Sequence, residues 1–286
     1  MRFHNIIFIC VAVGLGLKVC PGAILAEEGQ SVDEVAKELS NPIGSLASLN
    51  ASFLYQTFKG DLPNADDQDG WLFQFQPVFP FPLSNGYNLL VRPLVPVFLD
   101  QPVFDPAEND FDNRGPDLGD ISADIAYGRT DTEKGLLYFG GLFFSTPTTT
   151  DDYLATDQWR LGPEAAFGFI GNWGVAGALV FHQWNLNDTQ APNTSLTSAQ
   201  YFYAIGLGKG WQFTSSPILS YDWHADSDDA WTVPIGVGVA KTTKIGKTPW
   251  KFKLESQYYV EQPDPFGPEW LFKLTITPVI KNPFIF

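Results

Sequence analysis

Between Trp159 and Trp184 apolar and polar residues alternate on either side of Gly171-Asn172, a pair that tolerates the positive φ of a tight hairpin. Leu161, Pro163, Ala165, Phe167 and Phe169 share one parity with Trp159, whereas Arg160, Gly162, Glu164, Ala166 and Gly168 share the other. The pattern predicts two strands of twelve residues, each rising about 40 Å, or roughly 30 Å along a bilayer normal at the tilt of a membrane barrel. In a soluble sandwich the charged parity would face water outside. In a membrane barrel it lines the lumen.

The same period of two predicts twelve strands in all: Ser48–Lys59, Trp71–Pro82, Tyr87–Leu99, Asp120–Arg129, Leu136–Ser145, Trp159–Ile170, Trp173–Trp184, Ala199–Gly208, Trp211–Trp223, Trp231–Thr242, Trp250–Glu261 and Glu269–Pro278. Connections alternate between short turns, such as Leu83–Gly86 and Lys209-Gly210, and longer loops, such as Asp100–Gly119 and Asn185–Ser198. An even strand number with short turns at one end and long loops at the other is the layout of bacterial outer-membrane barrels, whose short-turn end is periplasmic. Tryptophan sorts with the connections: Trp71, Trp159, Trp184, Trp223, Trp231 and Trp270 beside long loops, Trp173, Trp211 and Trp250 beside short ones. These are expected to form two interfacial girdles. Pro77, Pro80, Pro93, Pro96, Pro163 and Pro234 fall inside strands, where each removes a ladder donor, and predict bulges or kinks.

Ahead of the strands, Glu27–Leu39 predicts a helix. Ser31 and Glu34 form a capping box, Val32, Val35, Ala36 and Leu39 form an apolar stripe, and Asn41-Pro42 stops it. It is expected outside the barrel on the periplasmic side, with entry into the lumen as a plug as the alternative. Residues 1–26 carry Arg2, an apolar run over Ile6–Leu17 and small residues before Glu27, which predicts a secretory signal. The expected layout is signal 1–26, periplasmic helix and extension 27–43, and barrel 44–286. The fold class is all-β, a transmembrane antiparallel β-barrel of about 12 strands with a short N-terminal helix.

Composition narrows the chemistry. The signal holds both cysteines, Cys10 and Cys20, so the exported chain has neither disulfide nor thiolate metal site. Its removal also takes Arg2 and Lys18 from the 17 basic residues, leaving 15 against 32 acidic ones and a net charge of −17. Phosphate backbones would be repelled, which excludes nucleic acid as a partner. No later stretch approaches 18 uninterrupted apolar residues, which excludes a helical membrane protein.

The chain resembles a family of bacterial outer-membrane barrels of transporter-like proteins, grouped with barrels of meta-pathway phenol degradation and in part misnamed neuromedin U. The resemblance spans nearly all of the exported chain. It is carried by Asn41-Pro42-Ile43 with Leu46 and Leu49, Gln76-Pro77-Val78 with Pro80, and Asn88-Leu89 followed by Arg92 and Pro96. Leu118-Gly119-Asp120, Pro147-Thr148 with Asp151-Asp152, and Trp159 with Leu161-Gly162-Pro163 extend it. Tyr221-Asp222-Trp223, Trp231-Thr232-Val233-Pro234, Lys241, Ile245-Gly246 and Gly267-Pro268-Glu269 complete it. It implies an outer-membrane barrel passing small, often hydrophobic or aromatic, solutes. The terminal Asn282-Pro283-Phe284-Ile285-Phe286 resembles the signal read by the barrel-assembly machinery, although Pro283 is awkward in a last strand.

The candidate lumen charges are Arg92, Asp124, Arg160, Glu164, Lys253, Glu255 and Lys273. They could form an eyelet that orients a solute, or ion pairs that hold the barrel closed. Asp226, Asp228 and Asp229 are a weak metal candidate, lacking the spacing and closing glutamate of a calcium loop. His182 and His224 are the only histidines after the signal, no lumenal Ser is placed to pair with His182 and no G-x-S-x-G is present, so neither enzymatic activity nor a cofactor is expected. Expected partners are outer-membrane lipid and lipopolysaccharide, the barrel-assembly machinery and a small solute. A non-conducting structural or adhesion barrel with acidic loops is the competing function.

Overall fold

A computed structural model describes residues 30–285. Helix α1 (Val32–Glu38) precedes β1 (Ser48–Lys59), β2 (Asp69–Pro82), β3 (Asn88–Asp105), β4 (Asp110–Arg114), β5 (Asp117–Leu118), β6 (Ser122–Asp131), β7 (Leu136–Ser145) and β8 (Arg160–Gly171). There follow β9 (Gly174–Asn185), β10 (Ser195–Gly208), β11 (Trp211–Ser215), β12 (Ile218–Asp222), β13 (Trp231–Ile245), β14 (Thr248–Glu261) and β15 (Gly267–Pro278). Neighbours pair antiparallel in chain order, and β15 returns to β1, closing the sheet. Strands β11 and β12 are one stave interrupted at Ser216-Pro217, and β4 and β5 pair only with the far half of β3. The result is a closed barrel of twelve staves. Closure leaves the sheet no outer edge, as backbone in a bilayer requires.

Parity places the side chains. On β8, Glu164, Ala166 and Ile170 are buried while Phe167 and Phe169 are more than half exposed. On β14, Lys251, Glu255 and Gln257 are buried while Leu254 is 59% exposed. Apolar groups bare to the outside and polar groups packed within are the reverse of a water-soluble core, and the arrangement fits hydrocarbon as the outer solvent. All the tryptophans except Trp250 are prominently exposed on this outer surface.

The wall's irregularities follow its prolines. The β2–β3 ladder skips Gln76, Pro77 and Val78, the β8–β9 ladder skips Gly162 and Pro163, and the β13–β14 register shifts at Val233/Pro234. A ring nitrogen without a hydrogen cannot donate to its neighbour.

Several expectations change. The helix begins at Val32 rather than Glu27, since Ser31 ends it as N-cap: Ser31 Oγ accepts from the Glu34 amide at 3.2 Å, and Glu34 Oε2 from the Ser31 amide at 2.8 Å. Residues 27–29, and the signal over 1–26, lie outside the described residues. Asp100–Gly119 is no simple loop: β3 runs on to Asp105 and forms a hairpin with β4. Val279 and Ile280 still donate to the Pro249 and Ala47 carbonyls, and the chain leaves the ladder only from Lys281, ahead of Pro283, which has no donor. Asn282 Nδ2 donates to the Pro80 carbonyl at 2.6 Å, and Phe284 packs edge-on against Phe79, with ring centroids 5.0 Å apart.

Candidate functional site: a plugged, charged lumen

At the short-turn end the N-terminal segment enters the barrel. The Asp33 carboxylate accepts from the Lys209 and Gly210 amides of the β10–β11 turn, which hangs α1 on the rim. After the helix stops at Asn41-Pro42 the chain turns inward. Asn41 Nδ2 donates to Thr130 Oγ1 at 2.8 Å, and Asn88 Nδ2 donates to the Ile43 carbonyl at 2.9 Å. Ile43 is wholly buried among Leu90, Leu137, Phe139, Ile170, Val175 and other inward residues. Fully burying such a side chain contributes about 1.5–3 kcal/mol. Val35 and Leu46 meet Val279 in a second apolar cluster. The helix thus sits at the mouth while residues 39–46 occupy the lumen, so the plug arrangement describes this segment better than an extension lying free of the barrel. The apolar stripe announces a packed face, and the partner it meets is the barrel's own inner wall.

Further in, the charged side chains form two belts. On one wall Arg92 (β3) pairs with Asp124 (β6) at 2.6 Å and lies 3.6 Å from Glu164 (β8), and its guanidinium also reaches the Pro42 carbonyl at 3.4 Å. Arg160 stands apart toward the long loops and pairs with Asp120, whose carboxylate also holds the Thr148 and Thr149 amides. On β14 and β15, across the barrel, Lys253 pairs with Glu255 at 2.6 Å and donates to Ser216 Oγ at 2.7 Å. Glu255 Oε1 accepts from Ser215 Oγ at 2.6 Å, the Ser216 amide at 2.8 Å and Gln257 Nε2 at 3.0 Å. Lys273 stands directly opposite Glu255 in the β14–β15 register. The structure therefore brings six of the seven candidates into two groups of three and leaves Arg160 apart, paired with Asp120.

Three participants escaped the candidate set. Asp120 and Lys251 share the inward parity of chosen residues, which is signal enough to have found them. Ser40, to which Lys251 Nζ donates at 2.6 Å, could be found only by knowing that the plug enters.

Beside the plug lies a chamber of about 220 Å³, lined by the three lysines, by Leu39, Ser40 and Pro42 of the plug, and by Phe202. The wall there is unusual. Between the β11–β13 and β12–β13 pairings no ladder joins Val233–Gly238 to the stave at Ser216-Pro217, and both Ser215 and Ser216 turn to Glu255. Tyr201 and Tyr203 of β10 reach across instead: Tyr201 Oη donates to the Pro234 carbonyl and accepts from the Gly236 amide, both at 3.2 Å, and Tyr203 Oη donates to the Gly236 carbonyl at 3.0 Å. Gly236 leaves room for Ser215, since a Cβ there would lie 2.4 Å from Ser215 Oγ.

The remaining candidates lie elsewhere. Asp229 Oδ1 accepts from the Asp264 amide at 2.7 Å, and Asp228 Oδ1 from Ser227 Oγ at 3.0 Å. Among the described residues no group of three metal-ligating side chains converges, and Asp226, Asp228 and Asp229 are not gathered into one. His182 shares the parity of exposed Val180 and Trp184, and its Nδ1 lies 2.8 Å from Thr197 Oγ1. It belongs to the girdle and does not face the lumen.

A closed twelve-stave antiparallel barrel with an apolar outer parity and a polar, plugged lumen defines the outer-membrane β-barrel fold. No family model and no curated protein matches the chain. Among solved structures, an outer membrane channel from Pseudomonas putida F1 is similar over 84% of this chain and 98% of that chain, with a TM-score of 0.62 and 12% identity. At that identity the likeness is one of fold. The β domain of the Bordetella autotransporter BrkA (11% identity, 82% and 100% covered, TM-score 0.40) and a BenF-like porin from Pseudomonas fluorescens Pf-5 (11%, 82% and 98%, 0.28) are more distant.

Proposed function

We propose that the protein is a passive outer-membrane channel for small solutes, with its short-turn end and both termini in the periplasm and its N-terminal segment as a seated plug. The observation that carries the reading is the division of the lumen. An apolar patch around Leu90, Leu137, Phe139, Ile170 and Phe202 adjoins charged side chains on β3, β6, β8, β14 and β15, and Phe202 borders the same chamber as Lys251, Lys253 and Lys273. A solute with a hydrocarbon body and a polar handle finds a surface for each, in keeping with the hydrophobic or aromatic solutes that the family resemblance implies.

Planar-bilayer recording tests it. The purified barrel should show discrete openings, and a variant lacking residues 30–46 should conduct at least severalfold more. A second reading, a structural barrel that never conducts, is favoured by the same plug and by the ion pairs that tie the walls. A heat-modifiable barrel silent in both forms would establish it.

A further inference from the structure

We propose that the chamber bounded by Lys251, Lys253 and Lys273 is a binding site for a small organic carboxylate. The proposal deepens the channel reading and rests on it. Three ammonium groups converge on this chamber and only Glu255 answers them, with Oε2 held by Lys253 at 2.6 Å and Oε1 by Ser215, Ser216 and Gln257. Lys251, 7% exposed, spends its one bond on the neutral hydroxyl of Ser40. Among the described residues neither Lys251 nor Lys273 has a carboxylate oxygen within 4.0 Å.

The carboxylates across the barrel, Asp124 and Glu164, are engaged with Arg92. Cations drawn out of water without counter-charge are costly, so the chamber is built to accept an anion. Ser52 and Thr275 share one hydrogen bond at 2.9 Å, which leaves one of their two hydroxyls to donate beside the lysines, while Thr277 is committed to Asn50 Oδ1 at 2.7 Å. Leu39, Pro42 and Phe202 give the chamber an apolar side among polar neighbours such as Gln76 and Gln200, and that side offers hydrocarbon a surface and oxygen atoms none. A phosphate would turn some of its oxygens to that side. A carboxylate on a short carbon chain satisfies both walls, and about 220 Å³ accommodates it.

The test is calorimetry and thermal unfolding of the purified full barrel in detergent at low ionic strength. The probes are butyrate, its cationic counterpart butylamine, and inorganic phosphate. Butyrate should bind and raise the unfolding midpoint, and butylamine should do neither. Lys273→Met should weaken butyrate binding at least tenfold while raising the ligand-free midpoint, because it removes an unanswered charge; a purely structural lysine would lower that midpoint. Lys251→Gln, which keeps a donor for Ser40, should weaken binding as well and serves if the first variant fails to fold. Butyrate binding no better than butylamine, phosphate binding tighter than butyrate, or full affinity in both lysine variants each overturns the site. A silent barrel that binds butyrate overturns the channel and spares the site. A conducting barrel indifferent to butyrate does the opposite.

Discussion

Arg92 shows what one side chain does in this lumen. Its guanidinium touches carboxylates from two other staves and a carbonyl of the plug, with 13% of the side chain exposed. Removing it strands Asp124 and Glu164 in a poorly hydrated interior, and breaking such a buried pair costs about 3–5 kcal/mol. Arg92→Ala should lower the stability of the folded barrel by that order in denaturant titration, while the triple change Arg92→Leu, Asp124→Asn, Glu164→Gln should recover most of the loss. Parity alone shows that these three residues point inward. Their pairing was not legible, because β3 and β6 are joined through the hairpin over 100–119, and nothing local sets the register that brings Arg92 opposite Asp124. By contrast β14 and β15 follow each other directly, joined through residues 262–266 with no intervening strand, and Lys273 and Glu255 stay in step.

Among the elements, α1 and the interrupted β11–β12 stave differ in how openly the sequence declares them. The capping box at Ser31 and Glu34 is a local motif, and the structure forms it. The backbone N–H and hydroxyl of Ser31 hold the Glu34 carboxyl below its ordinary value of 4.5. A carboxyl whose pKa falls on folding contributes stability above its unfolded value and loses it as pH drops through the folded one. Amide exchange over residues 32–38 should therefore accelerate as pH falls below the ordinary carboxylate range, after correction for intrinsic exchange. Ser31→Ala should be fast already at neutral pH and show little further change. The break falls at Pro217, inside the strand expected over Trp211–Trp223 but not among the prolines read as bulges, and the tyrosines that mend it come from the neighbouring stave. Replacing both Tyr201 and Tyr203 with Phe leaves the Pro234 and Gly236 carbonyls and the Gly236 amide without partners. At about 1–3 kcal/mol for each unsatisfied buried group, the double variant should unfold at clearly lower denaturant, with fast exchange confined to β13.

At the scale of the whole molecule, strand count, closure and the sorting of faces were legible because each is a repeat of one rule, alternation, written twelve times. The plug was not, since an apolar stripe looks the same whether it meets lipid, a partner or the inside of its own barrel. The decisive property is which surface the bilayer wets. Leu254 lies near the middle of β14, 59% exposed, with Lys253 and Glu255 beside it on the inner parity. An arginine on a lipid-facing midplane position costs about 2–4 kcal/mol, whereas charge within the lumen is tolerated. Leu254→Arg should thus weaken folding into lipid vesicles by about that amount in denaturant titration, and Gln257→Glu, three residues on but inward, should change it far less. Equal stability of Leu254→Arg and the parent would mean that water rather than hydrocarbon covers that face. The lumen would then lose its claim to be the inside of a pore, because the same alternation would have to be read with its two faces exchanged.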